Sequence, residues 1–544
     1  MGEVRHLGPI VRDHKAAHEP FWADAEARLL NPAIPHVIRD SKTPSGVVPI
    51  SGLRGPIITD ALYRTFKAHG LQVRYVFTID DYDPMDSQSM RQQAGMAEHM
   101  AKPFCSIPSP DPATATDFAR YHAGRYLGLF ADLGIRPDEI HWMRDLYRSG
   151  ALDLQLDLAL RNGELIRQIH ARVAHVEHPE GWLPISVICE RCGRIGTTLA
   201  TDYDGTTVAY RCLPDYVEWA QGCGNEGRSS PLKGGAKLLW NEQWCAMWDH
   251  FGVTYEEGGK DLLTAGGSRE RSNAIYREVW KKEPPLGLAH EFLLIGGKKM
   301  ATSKGLGAPA EDLVAVYPSE LVRFLMLRTP PKRHIEFDPA GMALPRLMDE
   351  YDRCADDFLR DPASDTARTW KLSQQGDDPD PLGFRVRFSL LASWMQIPSI
   401  DALKEAAKLK GSPLSEREER DLSRRSDLAR SWLERWAPDE AKFGIAKELP
   451  PLALTDLQRA YLREVATLVG VITDPEAMQQ ELYEAAKRVG LVTPEGKPLK
   501  DAFGALYSAF IGKPNGPRAG WLLTTLFEKD PSFVRKRLED AAKA

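Results

Sequence analysis

The chain has 544 residues, 43% apolar and 27% charged, with a formal net charge of −6. That length exceeds what one core supports and predicts about three domains of a soluble globular protein. The charge balance excludes a generally basic nucleic-acid-coating protein and leaves a local basic face open. No apolar run reaches the length of a membrane span, and "MGEVRHLGPIVRDHKAAHEP" lacks the apolar stretch of a signal peptide. Gly2 follows Met1, but His6 breaks the myristoylation pattern. Seven cysteines, an odd number without an export signal, read as reduced thiols, so the expected compartment is the cytoplasm.

From about residue 31 to 147, short β-rich runs alternate with helical patterns. The turn "TPSGVVPISGLRG" opens the helix "GPIITDALYRTFKAHG", for which Gly70 is a candidate C-terminal cap. "LQVRYVFTIDDYD" follows as a buried strand ending in carboxylates. This order predicts βαβ units and a parallel sheet. Residues 151–173 are helical in pattern, and 183–227 are short runs punctuated by Gly and Cys, with "TTVAYRC" as a hairpin strand. The sheet pattern returns at "GVTYEEGGKDL" and "HEFLLIGGKKM". From about residue 344 nearly everything is helical, except a polar segment at 361–383 that reads as a loop. No repeat of fixed period occurs. The expected build is an α/β domain with a parallel sheet (1–150 and 231–340), an inserted cysteine module (151–230) and an all-α domain (341–544).

Ligands of open α/β sheets bind beyond the carboxyl ends of the strands. The turn at 43–54 and the carboxylates Asp80, Asp81 and Asp83 would both lie there. Adjacent carboxylates suit an ammonium group, a metal or a ribose, and equally a turn and N-cap cluster. "GGKKMATSKG" at 296–305 carries three lysines that could close over a polyphosphate and neutralise charge developing on cleavage. A solvated surface loop would have the same composition. Cys189 and Cys192 at C-x-x-C spacing, with Cys212 and Cys223, place four of the seven cysteines in one Gly-rich stretch. Four unrelated thiols are the alternative; the clustering favours a tetrahedral zinc site. Trp240, Trp244 and Trp248 recur every four residues, a helical stripe that is more often core than ligand site.

Taken in order, "TPSGVVPISGLRG", "DDYD", "CERCG…YRC…GCGNEG", "GVTYEEGGKDLLTAGGS", "GGKKMATSKG", "RTPPKRHIEFD" and "FIGKPNGPRAGWLLTTLFEKDPSFVRKRL" resemble the class I lysyl-tRNA synthetases over nearly the whole chain. The resemblance implies a class I Rossmann-type domain that uses ATP and Mg2+ to convert lysine to lysyl-adenylate. It further implies transfer of lysyl to tRNA(Lys), a helical anticodon-binding half, a structural Zn2+, and no membrane or DNA partner. The family's H-x-G-x signature falls on Pro49, Ile50, Ser51 and Gly52. Its K-M-S-x-S signature falls on Lys299, Met300, Ala301, Thr302 and Ser303, followed by Lys304. The resemblance thus assigns catalysis to Lys299, Ser303 and Lys304. It assigns nucleotide contacts to Thr43, Ser45, Gly46, the 49–52 turn and 300–302. Asp81, Asp83, Trp240, Trp244, Glu256 and His290 are the candidates for the lysine side.

Departures from the family pattern concentrate in this site. Proline offers no donor where the family has histidine, and losing one transition-state donor costs about two to three powers of ten in rate. Lys299 and Lys304 are expected to carry part of that load. Ser41 replaces a glycine, Gln243 an acid, Leu262 a histidine and His290 a tyrosine. Of the family's second metal cluster Asp111 and His122 remain, while Ala115 and Thr116 occupy the cysteine and histidine positions. Three readings stay open on sequence: a lysine–tRNA ligase, which leads; a paralogue that binds tRNA without charging it; and a ligase for another amino acid.

Overall fold

The computed structural model describes residues 20–264, 266–295, 298–299, 309–377, 379–397, 400–494, 497 and 499–544, with backbone alone at Ile295, Lys298 and Lys299. A parallel sheet organises the first half. Strand β1 (His36–Lys42) leads through a 3-10 turn (Ile50–Leu53) into helix α1 (Arg54–Ala68), and β2 (Val73–Ile79) returns alongside β1. Helix α2 (Phe118–Leu133), capped by the Asp117 carboxylate on the Arg120 N–H, leads to β3 (Glu139–Trp142), which is parallel to β2. Much later, helix α3 (Trp240–Phe251) delivers β4 (Tyr255–Glu256) to the other side of β1. The strand order is β3-β2-β1-β4, all parallel. Just after β4, Gly258–Gly259 pair in parallel with β5 (Ala289–His290) in a separate two-stranded sheet. The order therefore reverses between β1 and β4, and a crevice opens at their carboxyl ends.

Between β3 and β4 lie two helices (Asp153–Arg161 and Gly163–Ala174) and the cysteine module. The module is a three-stranded antiparallel sheet (Thr198–Tyr203, Val208–Cys212, Glu226–Ser229) beside a two-stranded one (Ile185–Val187 with Ala236–Leu238). It has no separate core. Ile185, Val187, Leu199, Val208 and Tyr210 are buried in one cluster with Leu156, Ile166, Met247 and Trp248.

Among the described residues the helical half takes part in three clusters, the smallest of which gathers Val386, Leu391, Trp394, Leu422 and Trp521. Leu344, Trp370, Phe388, Leu428 and Trp432 continue the cluster that contains Ile57, Phe77 and Phe130 of the α/β domain. Tyr461, Leu482, Leu506, Leu522 and Leu538 form another, around helices Asp456–Leu468 to Pro531–Lys543. Reciprocal Ser415–Glu418 and Thr455–Gln458 capping boxes start two of these helices. The segment expected as a loop at 361–383 contains helix Asp365–Ser373. Ser364 caps it, and Ala367, Trp370 and Leu372 are buried on its inner face. Its apolar positions are few, and the surrounding Asp, Ser and Gln residues masked the period.

Candidate active site

A cleft of about 310 Å³ lies at the carboxyl ends of β1 and β4. One wall is the turn after β1, where Thr43, Ser45, Ser51 and Gly52 line the cleft. Gly46 takes φ +145°, a conformation that disfavours any side chain. Gly52 has no room for one, since a Cβ there would lie 2.4 Å from Val48 Cγ1. The Gly52 N–H donates to the Pro49 carbonyl at 2.8 Å, and the Tyr126 hydroxyl donates to the Gly52 carbonyl at 2.8 Å. Pro49 is extended, at φ −74° and ψ 164°, and Ile50 is buried in the core, so neither lines the cleft. Arg54, at the start of α1, is 1% exposed. Its guanidinium donates to the carbonyls of Glu291, Phe292, Pro330, Pro331 and Arg333, tying α1 to the chain on either side of residues 293–329. Lys299 has only its backbone described, in a short antiparallel pairing with Leu294. Met300, Ala301, Thr302, Ser303 and Lys304 lie outside the described residues.

Trp240, Trp244, Glu256, Glu257, Leu262 and His290 line the cleft as well, and Glu257 and His290 lie close to Gly55 at the start of α1. Glu256 is already saturated. Arg39 Nη1 lies 2.5 Å from its Oε1, and the indole N–H groups of Trp244 (2.7 Å) and Trp248 donate to its Oε2. Arg269 stacks over the Trp244 and Trp248 rings, at 5.4 and 4.6 Å from their centroids. The Glu256 carboxylate thus has little capacity left for a substrate ammonium.

Two other expected carboxylates are spent elsewhere. Asp81 is fully buried and accepts from the Arg144 backbone N–H at 2.9 Å and from its guanidinium, which also grips Asp117. Asp83 pairs with Lys237 Nζ at 2.5 Å and accepts from Thr43 Oγ1 at 3.4 Å. Neither lines the cleft.

The carboxylates that do line the cleft with capacity to spare are Asp40, Asp80 and Glu257. Asp40 Oδ1 accepts the Ser41 N–H at 2.6 Å, while its buried Oδ2 has no hydrogen-bond partner among the described residues. Burial, with the Glu256 charge nearby, pushes Asp40 up to about 7 against that hydrogen bond. Burial and the neighbouring Asp83 push Asp80 up to about 7 as well. Burial, with the Asp40 and Glu256 charges, also holds Glu257 well above the usual carboxylate range, and its Oε2 lies 3.2 Å from His290 Nε2. Burial and the Arg54 charge push His290 down to about 4, so its ring is neutral at pH 7. Gln243, where the family has an acid, accepts from the Tyr147 hydroxyl at 2.9 Å and donates to Asp80 at 3.4 Å.

Sequence reasoning missed Asp40, Lys42 and Glu257 as site residues. The run "RDSK" puts three charges within four residues, and the structure shows that it ends a strand of the parallel sheet, where charges are rare without a partner or a ligand.

The four cysteines converge. Their sulfurs all lie within 4.8 Å of one another, with Cys189–Cys223 at 3.6 Å and Cys192–Cys212 at 3.7 Å. A tetrahedron with metal–sulfur bonds of about 2.3 Å has its sulfurs about 3.8 Å apart, so the set fits a thiophilic ion such as zinc. Among the described residues no other group of three or more such ligands converges. Asp111 caps its own turn through the Ala113 N–H, and His122 stacks against Phe118 and Tyr121.

A family model described as tRNA synthetases class I (K) matches residues 20–376. Lysine–tRNA ligase 1 of Methanosarcina acetivorans is 31% identical over 544 residues, covering 96% of this chain and 98% of that protein. The lysine–tRNA ligase of Archaeoglobus fulgidus is 30% identical over 525 residues, covering 96% and 99%. That of Thermoplasma acidophilum is 31% identical over 528 residues, covering 96% and 98%. With a parallel sheet that reverses its order beside the cleft and a family match over most of its length, the chain belongs to the class I tRNA synthetases (K).

Proposed function

We propose that this protein is a lysine–tRNA ligase. The observation that carries the reading is near-full-length similarity to lysine–tRNA ligases, joined to a cleft lined by both a nucleotide-type turn and buried carboxylates. The lysine α-carboxylate attacks the ATP α-phosphorus, the bond to the bridging oxygen breaks, and pyrophosphate leaves. A ribose hydroxyl of the tRNA's terminal adenosine then attacks the lysyl carbonyl, and AMP leaves.

The residues divide the work between nucleotide and lysine. The 43–52 turn and the N-terminus of α1 face the nucleotide, where backbone N–H groups suit phosphate oxygens. Lys299, Ser303 and Lys304 close over the phosphates, and Mg2+ bound with ATP offsets their charge. The substrate ε-ammonium points to Asp40, Asp80 and Glu257, with Trp240 and Trp244 giving its aliphatic stem an apolar wall. Asp81 and Asp83 serve this pocket indirectly by fixing Arg144 and Lys237. Zn2+ at Cys189, Cys192, Cys212 and Cys223 contributes folding energy to the module. Four thiolates kept for a metal suit a reducing compartment, which supports the cytoplasm. No described helix is long and apolar enough to cross a membrane. The helices from Asp456 to Lys543, with their own core, are the proposed tRNA anticodon-binding unit.

Incubation with ATP, labelled lysine and tRNA tests the reading. Label should enter intact tRNA and not tRNA whose terminal ribose has been oxidised by periodate. Absence of label from intact tRNA would contradict the ligase.

A further inference from the structure

We propose that Lys42 is the cation that neutralises the ATP phosphates in this cleft, in place of the donor that Pro49 does not supply. The inference rests on the ATP-dependent ligase reading. Lys42 ends β1, so its side chain starts at the carboxyl edge of the sheet, opposite the N-terminus of α1. It lines the cleft. A Cβ built on Gly52, the last residue of the 49–52 turn, would lie 3.9 Å from Lys42 Nζ. The ammonium therefore already sits beside the backbone over which the phosphates are to be held.

Other cations around the site are committed. Arg39 pairs with Glu256, Arg54 with five carbonyls, Arg144 with Asp81 and Asp117, Lys237 with Asp83, and Lys260 with Glu291. Lys42 Nζ makes no ion pair or hydrogen bond with any described residue. Burial pulls its pKa down, and the Asp40 charge only partly offsets this. A desolvated ammonium without a hydrogen-bonded anion is costly, and a ligand phosphate would relieve that cost. The chemistry needs the charge at that place. As pyrophosphate departs, negative charge grows on oxygens that the family pattern meets with a histidine at position 49.

The test is a double-mutant cycle read by Mg·ATP binding in titration calorimetry and by lysine-dependent ATP–pyrophosphate exchange. Lys42→Met and Lys42→Gln should each lower exchange by about a hundredfold or more and weaken Mg·ATP binding. The KM for lysine should move by less than about threefold, because the loss falls on the phosphate side. Lys42→Arg should recover much of the loss. Pro49→His should restore at least about tenfold in the Lys42→Met background and add much less to the wild type, because the two groups would share one task.

Thermal melts of each variant separate folding from chemistry, and if Lys42→Met melts early, Lys42→Gln, which keeps a polar neighbour for Asp40, decides. Mg·ATP binding and exchange within twofold of wild type in Lys42→Gln would overturn the proposal. So would an equal gain from Pro49→His in both backgrounds. A wild type that binds Mg·ATP but shows no lysine-dependent exchange would contradict the ligase reading, and the binding arm would still decide Lys42.

Discussion

Arg39 and Glu256 face each other in register across β1 and β4, with Nη1 2.5 Å from Oε1 and side chains 3% and 4% exposed. Glu256 lines the cleft, and Arg39 holds its carboxylate in place. The pair also explains why Glu256, one of the three acids expected from sequence to meet an ammonium, is spent: one oxygen faces a guanidinium and the other accepts two indole N–H groups.

Removing one member of a buried pair leaves the other charge uncompensated. Arg39→Met should therefore destabilise the protein by about 3–5 kcal/mol. Chemical denaturation, read as a lowered midpoint, measures it. A change below about 1 kcal/mol would show that the Trp244 and Trp248 N–H groups alone suffice for Glu256.

The pH dependence has a definite sign. Asp40 and Asp80 are each raised from 3.8 to about 7 in the folded chain. Between these values the folded state holds more protons than the unfolded one, so the free protein loses stability as pH rises from about 4 to about 7. A bound ammonium favours the ionised carboxylates, and lysine keeps its own ε-proton throughout this range. Lysine should bind more tightly as pH rises from 6 to 8 and should release protons on binding near pH 7. Calorimetry in two buffers of different ionisation enthalpy measures the release. Asp40→Asn should weaken lysine binding and flatten the profile; affinity that falls with rising pH would contradict the assignment.

The thiol cluster predicts one zinc per chain. Cys192→Ser should release the metal and loosen the module, as seen by elemental analysis and by new protease cleavage within residues 183–229. The helical core should stay intact, because Tyr461, Leu506 and Leu538 share no cluster with the module. Purified wild-type protein without stoichiometric zinc would contradict the site.

The fold was largely legible in the sequence. The "GPIITDALYRTFKAHG" period gave helix α1 with Gly70 just past its end, and the runs "LQVRYVFTIDDYD" and "GVTYEEGGKDL" marked β2 and β4 in their order. The four cysteines named their own cluster, because thiols so close in sequence on a turn and a hairpin have few other places to go. What stayed hidden was pairing at long range. Nothing local to Glu256 reveals Arg39, more than two hundred residues earlier, and nothing local to Asp81 reveals Arg144. The carboxylates left facing the cleft, Asp40 and Glu257, follow only once those partners are known. Helix Asp365–Ser373 was hidden for a different reason: its buried Trp370 packs against Tyr351 and Phe358 of the preceding helix, so tertiary contact overrides a polar local composition.

The most direct measurement is amino-acid-dependent ATP–pyrophosphate exchange, screened across the common amino acids with and without tRNA. Lysine should drive exchange well above every other amino acid, and Asp40→Asn should raise its KM more than it lowers kcat. Exchange driven by a different amino acid, or none with lysine while Mg·ATP and tRNA both bind, would contradict the account.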